Sequence, residues 1–210
     1  MRVYRDLYLK HGRSEEALCW SKNKQENRFE ALTRHIPNSA SILLDYGCGL
    51  GDLKTWLSTS KPLISYRGVD IVPEFIESNK KALGAEYFST ITGPEDVAHK
   101  FDHGILSGVF NLRTLPEDIH WTLLQKTLTA LFMNTRISLA IDFLSWDVDF
   151  KKENSYHQNP DSIGRFISQS LSRRWELNKS YLPYEYSVVI FKDVEIDSTR
   201  NVYANSLPIR

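Results

Sequence analysis

Ile42-Leu43-Leu44-Asp45-Tyr46-Gly47-Cys48-Gly49-Leu50-Gly51-Asp52-Leu53 decides the reading of this chain. An apolar run of strand formers ends at an acid, passes three glycines on alternate residues and turns into a helix. Glycine lets a backbone approach a ligand closely and take angles that a side chain forbids. A turn of this kind, opening onto a helix N-terminus, makes a cradle of nucleotide size. A dinucleotide fingerprint has its third glycine three residues after the second. Here it follows after two, and an acid precedes the first glycine by two.

Outward from this stretch, strands and helices alternate. Strands are expected at Ile42 to Tyr46, Ser65 to Asp70, Ala85 to Ser89, Gly104 to Ser107 and Arg136 to Phe143. Helices are expected at Leu53 to Ser58, Glu74 to Leu83 and Glu117 to Met133. Pro73 suits a first helical position. Alternation of this kind implies parallel strands joined by right-handed crossovers. Near the end the pattern changes. Asn159 can cap a helix over Asp161 to Leu171, and two strand-like runs, Arg174 to Tyr181 and Tyr184 to Lys192, are split only by Leu182-Pro183. So short a connection permits an antiparallel pair and forbids a crossover.

The D-x-G-x-G-x-G pattern of Asp45 to Gly51 resembles the first motif of class I S-adenosylmethionine-dependent methyltransferases. Tyr66-Arg67-Gly68-Val69-Asp70-Ile71 fits the same family, with a second acid at the end of the next strand. The resemblance implies a Rossmann-like, mostly parallel α/β sheet of seven strands, closed by an antiparallel one. Three segments follow: a helical lid over 1–37, the methyltransferase domain over 38–193 and a tail over 194–210. It further implies that the turn of Asp45, Gly47, Cys48, Gly49 and Gly51 passes the methionine part of the cofactor. Asp70 would accept from the ribose diol and Ile71 would flank adenine. Asp52 either meets the methionine amino group or stabilises the start of its helix. Trp20-Ser21-Lys22-Asn23-Lys24-Gln25-Glu26-Asn27-Arg28-Phe29 resembles a stretch preceding the core of some bacterial methyltransferases. On that resemblance Trp20, Gln25 and Arg28 are expected at the cofactor, the alternative being a solvated amphipathic helix with Arg28 exposed. Arg28 is suited to the methionine carboxylate, because its fork can pair two oxygens.

The fourth strand ends in Ser107-Gly108-Val109-Phe110-Asn111. This Ser-Gly-Val-Phe-Asn stretch resembles small-molecule methyltransferases, and the Asn/Asp-Pro-Pro-Tyr often shown by families that methylate planar amines is missing. Ser107, Phe110 and Asn111 are therefore expected at the pocket, the alternative for the last two being core packing and a turn. The usual acid after the third strand is missing, and Glu95 and Asp96 stand two or three residues late. The long polar loop from Ser145 to Gln158 follows the fifth strand, and loops of this length are often functional. Its Trp146, Tyr156 and His157 are expected to wall an acceptor site with Tyr4, Tyr8 and Tyr184. His157, then Tyr156, are the candidate catalytic bases.

The 26 basic and 26 acidic side chains cancel, so no overall field draws the chain to nucleic acid or anionic membrane. Two cysteines in 210 residues make neither a disulfide framework nor a cysteine metal site. No histidine-acid spacing suggests a metal. The first residues lack the apolar core of a signal peptide and no run approaches a membrane span, so the cytoplasm is the expected compartment. The reading is an S-adenosylmethionine-dependent methyltransferase with a small-molecule acceptor. An aminopropyltransferase-like enzyme on the same fold and a non-catalytic cofactor-binding partner subunit are the alternatives.

Overall fold

The computed structural model describes residues 2–18 and 25–192, the side chains of Arg2 and Glu15 excepted. Trp20 and the tail over 194–210 lie outside the described residues. Eight strands form one sheet: β1 Ser41–Tyr46, β2 Ile64–Asp70, β3 Phe88–Thr90, β4 Phe101–Leu106, β5 Thr135–Ser145, β6 His157–Gln158, β7 Trp175–Asn178 and β8 Glu185–Phe191. The order is β3-β2-β1-β4-β5-β8-β7, with β6 pairing β5 off this path. Only β8 runs against the rest, antiparallel to both β5 and β7. A parallel sheet buried on both faces needs apolar side chains facing both ways. Leu43 and Leu44 of β1 accordingly enter different clusters.

Six helices cover the sheet: α1 Arg2–His11, α2 Gln25–Thr33, α3 Asp52–Ser60, α4 Pro73–Leu83, α5 Glu117–Asn134 and α6 Pro160–Ser170. Helices α2 and α3 bury Phe29, Leu32, Leu53 and Leu57 on one face. Helices α5 and α6 bury Leu124, Leu128, Leu131, Ile163 and Ile167 on the other. Pro73 opens α4 as expected, and Asn159 caps α6, its Oδ1 accepting from Asp161 N at 2.8 Å. Among the described residues no helix is long and apolar enough to cross a membrane.

Three sequence expectations need correction. Ala85–Tyr87 is a 3₁₀ turn, so β3 starts at Phe88. His103, expected to precede the fourth strand, lies inside β4 and shares Ser138 Oγ with His35 at 2.8 and 2.7 Å. The N-terminal segment divides in two. Residues 2–18 lie over the glycine turn, whereas α2 belongs to the core through Phe29, Leu32 and the following Ile36.

Candidate functional site

The glycine turn is a backbone device. Gly47, Gly49 and Gly51 all have positive φ, at 76°, 50° and 75°. A Cβ on Gly47 would stand 2.7 Å from Val109 Cγ2, and one on Gly51 2.7 Å from Leu83 Cδ1. The turn is held from below and above. Asp70 Oδ2 accepts from Gly49 N and its Oδ1 from Val72 N, each at 2.9 Å. Asn79 Nδ2 donates to Gly49 O at 2.8 Å, and Arg13 donates to both Asn79 Oδ1 and Leu50 O. Tyr66 OH donates to Asp45 Oδ2 at 2.7 Å beneath the turn. Burial pushes the Asp45 carboxyl up to about 7, despite the Tyr66 hydrogen bond, with the charges of Asp70 and Asp52 adding to it. Burial raises Asp70 to about 6, the N–H groups of Val72, Gly49 and Ile71 opposing it.

Beyond the C-terminal ends of the strands lie two clefts. The inner one is narrow, about 140 Å³, and is bounded by the glycine turn, Asp52, Asp70, Ile71 and Ser107, with Gln25, Arg28, Tyr4 and Leu18 arching over it. The outer one is about 860 Å³ and is walled by Val3, Tyr4, Leu144, Val148, Phe150 and Tyr184, with His157, Glu185 and Asn111 among its polar groups. Arg28 and Tyr4 line both. The clefts are neighbours sharing one wall.

The wall between them holds Arg28, which the sequence reading placed at the cofactor, and two carboxylates that it missed, Glu185 and Asp142. Arg28 is buried, and its Nε donates to Glu185 Oε2 at 2.6 Å while Nη2 donates to Oε1. Burial opposes the Arg28 charge, but the Glu185 hydrogen bond and the nearby Asp142 carboxylate raise its pKa on balance. Asp142 on β5 braces the end of β4. It accepts from Ser107 Oγ at 2.9 Å, Gly108 N at 2.8 Å and Asn111 Nδ2 at 3.1 Å. Burial lifts Asp142 to about 6, Arg28 pulling the other way. A lone acid inside Ala140-Ile141-Asp142-Phe143-Leu144 was the signal available in the sequence.

Several expected residues lie elsewhere. Phe110 packs in the core against His120 and lines neither cleft. Asn111 sits at the outer cleft, not the inner, with Oδ1 accepting from Leu144 N. Tyr156 is buried and stacked on His120 at 3.8 Å between centroids, which takes it off the outer wall. Trp146 is exposed under Lys151, and Tyr8 packs on Phe75. Asp96 does not reach the inner cleft, since its carboxylate accepts from Thr92 N and Oγ1 to close its own turn. Cys48, by contrast, does line the inner cleft, its buried thiol 4.0 Å from Asn79 Nδ2. His157 does face the outer cleft, although it belongs to β6 rather than to a loop. Its Nδ1 lies 2.7 Å from Ser145 O. A carbonyl can only accept, so Nδ1 carries the hydrogen and Nε2 is left with the lone pair.

The fold has counterparts among solved structures. Magnesium protoporphyrin IX methyltransferase from Synechocystis PCC 6803, with bound SAH, superposes with a TM-score of 0.60 at 15% identity, over 81% of this chain and 84% of that one. The fold is that of the class I methyltransferases. Human N-acetylserotonin methyltransferase in complex with SAM gives 0.62 at 17% identity, over 90% of this chain and 59% of that one. A small RNA methyltransferase gives 0.60 at 17%, over 84% and 26%. In sequence, 97 residues, 44% of this chain, are 30% identical to ribosomal RNA small subunit methyltransferase C of Shewanella sediminis (strain HAW-EB3). That match spans 28% of the relative's length. No family model matches the sequence.

Proposed function

We propose that this chain binds S-adenosylmethionine in the inner cleft and methylates a small molecule held in the outer one. The observation that carries the reading is the shared wall: two unlike clefts meet at Arg28 and Tyr4. The inner cleft has the donor and acceptor set the cofactor requires. Asp70 supplies carboxylate oxygens for a ribose diol, Arg28 a cation for a carboxylate, and Ile71 an apolar face for adenine. Each glycine of the turn stands against a side chain of the protein itself, Val109, Leu18 or Leu83, so a Cβ at any of them would force that neighbour to shift.

At about 140 Å³ the inner cleft is tighter than the roughly 300–1,000 Å³ usual for small-molecule sites. Tyr4 and Leu18, on the segment over the turn, are the wall that has to move outward. Residues 2–18 therefore act as a lid, clamped shut through Arg13 on Asn79 and Leu50 O.

When bound, the cofactor supplies a methyl group already activated on a sulfonium. The chain has to align the acceptor, keep water away and take up a proton where one is released. His157 Nε2 is placed for the last task, with Ser145 O fixing the tautomer. The outer cleft joins aromatic and aliphatic walls to polar and charged groups, Arg113, Lys152 and Glu153 among them, which suits a small acceptor of mixed polarity, and the balanced charge of the chain does not favour RNA.

Calorimetry with S-adenosylmethionine, S-adenosylhomocysteine and NAD tests the cofactor. Binding of NAD alone would overturn the reading. Radiolabelled methyl transfer to a small-molecule extract and, separately, to total RNA tests the acceptor. Label appearing only in RNA would overturn the small-molecule assignment and leave the cofactor assignment standing.

A further inference from the structure

Arg28 and Glu185 meet through two parallel hydrogen bonds, 4% and 8% exposed respectively. A buried ion pair is a poor way to stabilise a fold, because the desolvation of both charges consumes most of their attraction. Two apolar side chains would close this wall at least as well. The two partners also face differently: Arg28 lines both clefts, Glu185 only the outer one. A third charge competes for the guanidinium, since the Asp142 carboxylate also acts on it. Without Glu185, the two hydrogen bonds that fix the Nε and Nη2 edge of Arg28 are lost.

Resting on the reading above, we propose that Glu185 is a positioning residue for the cofactor: it grips one edge of the Arg28 guanidinium so that the cation is presented to the carboxylate end of the methionine moiety. The planar fork is what makes this possible. Nε and Nη2 engage Glu185, and because the group is rigid, fixing that edge fixes the direction of the rest. A residue of the acceptor cleft thereby sets affinity in the cofactor cleft.

The test compares two ligands that differ only at the end in question. S-adenosylhomocysteine carries the amino-acid end. 5′-Methylthioadenosine keeps adenine, ribose and sulfur and lacks it. Calorimetry is run on the wild type, Glu185→Gln and Glu185→Asp, the second retaining the charge on a shorter arm. Both variants should bind S-adenosylhomocysteine about tenfold or more weakly while holding methylthioadenosine within about twofold of the wild type. Equal loss for both ligands, or no loss for either, overturns the proposal. Failure of both variants to fold makes the pair a structural clamp and overturns it too. Should the wild type bind neither ligand, the cofactor reading itself falls, which is a different failure from a wild type that binds both and variants that do not discriminate.

Discussion

Replacing Asp142 by asparagine should make the protein more stable at neutral pH and leave it nearly unchanged in acid. Asp142 is fully buried, and its carboxyl is lifted from an ordinary 3.8 to about 6, a value already net of the attraction of Arg28. That rise corresponds to roughly 3 kcal/mol between the charged and neutral forms in the fold. The folded pKa lies above the unfolded one, so the stabilisation of the neutral carboxyl is complete below about pH 4 and lost as pH rises through about 6. An amide does not titrate. Its oxygen can still accept from Gly108 N–H and Asn111 Nδ2, and the Ser107 hydroxyl can rotate to accept instead of donate. Urea unfolding of both proteins at pH 4, 5, 6 and 7 isolates this one group from Asp45 and Asp70, which titrate in both. The wild type should lose up to roughly 3 kcal/mol relative to Asp142→Asn across the series. Parallel stability curves would refute the argument, because Asp142 would then ionise as an exposed carboxylate does.

Gly47→Ala sets a Cβ 2.7 Å from Val109 Cγ2 at a φ of 76°. It should cost about 1–3 kcal/mol and weaken S-adenosylhomocysteine, with an unchanged melt as the contrary result. His157→Gln should lower turnover by about 10²–10⁴-fold if the acceptor must lose a proton, with cofactor affinity retained; wild-type rates would remove His157 from the chemistry. Deleting residues 1–18 should leave a folded protein that binds S-adenosylhomocysteine much more weakly, whereas deletion through residue 37 should unfold it, because α2 buries Phe29 and Leu32. Circular dichroism with calorimetry separates the two, and tight binding by the shorter deletion would show that the segment is no lid.

Much of the fold was legible because its signals are local. An acid-glycine turn after an apolar run, Pro73 and Asn159 at helix starts, and Leu182-Pro183 between two strand runs each specify their own neighbourhood. What was not legible depends on partners distant in the chain. Phe110 and Tyr156 read as pocket aromatics, yet both close on His120 of α5, and no spacing in the sequence says which side of a loop faces inward. β6 is two residues long and pairs with the end of β5 where that strand extends past β4. Arg28 was legible as a site residue through its face on a helix. Glu185 was not, being one polar position in a strand run whose role appears only when α2 lies against β8.

Arg28 and Glu185 are separated by 157 positions, and that distance gives the binding site a history within each molecule. The glycine turn, Asp70 and the adenine face come from consecutive units, β1 to α4, that a growing chain can assemble early. The grip on Arg28 comes from β8, a strand that lies between β5 and β7 in the sheet although it follows both in the chain. On the proposed reading, the residues assigned to the nucleoside, Asp70 and Ile71, are therefore made well before Glu185, which orients Arg28. A chain that stops short of β8 lacks Glu185, and with it both of the hydrogen bonds that orient Arg28.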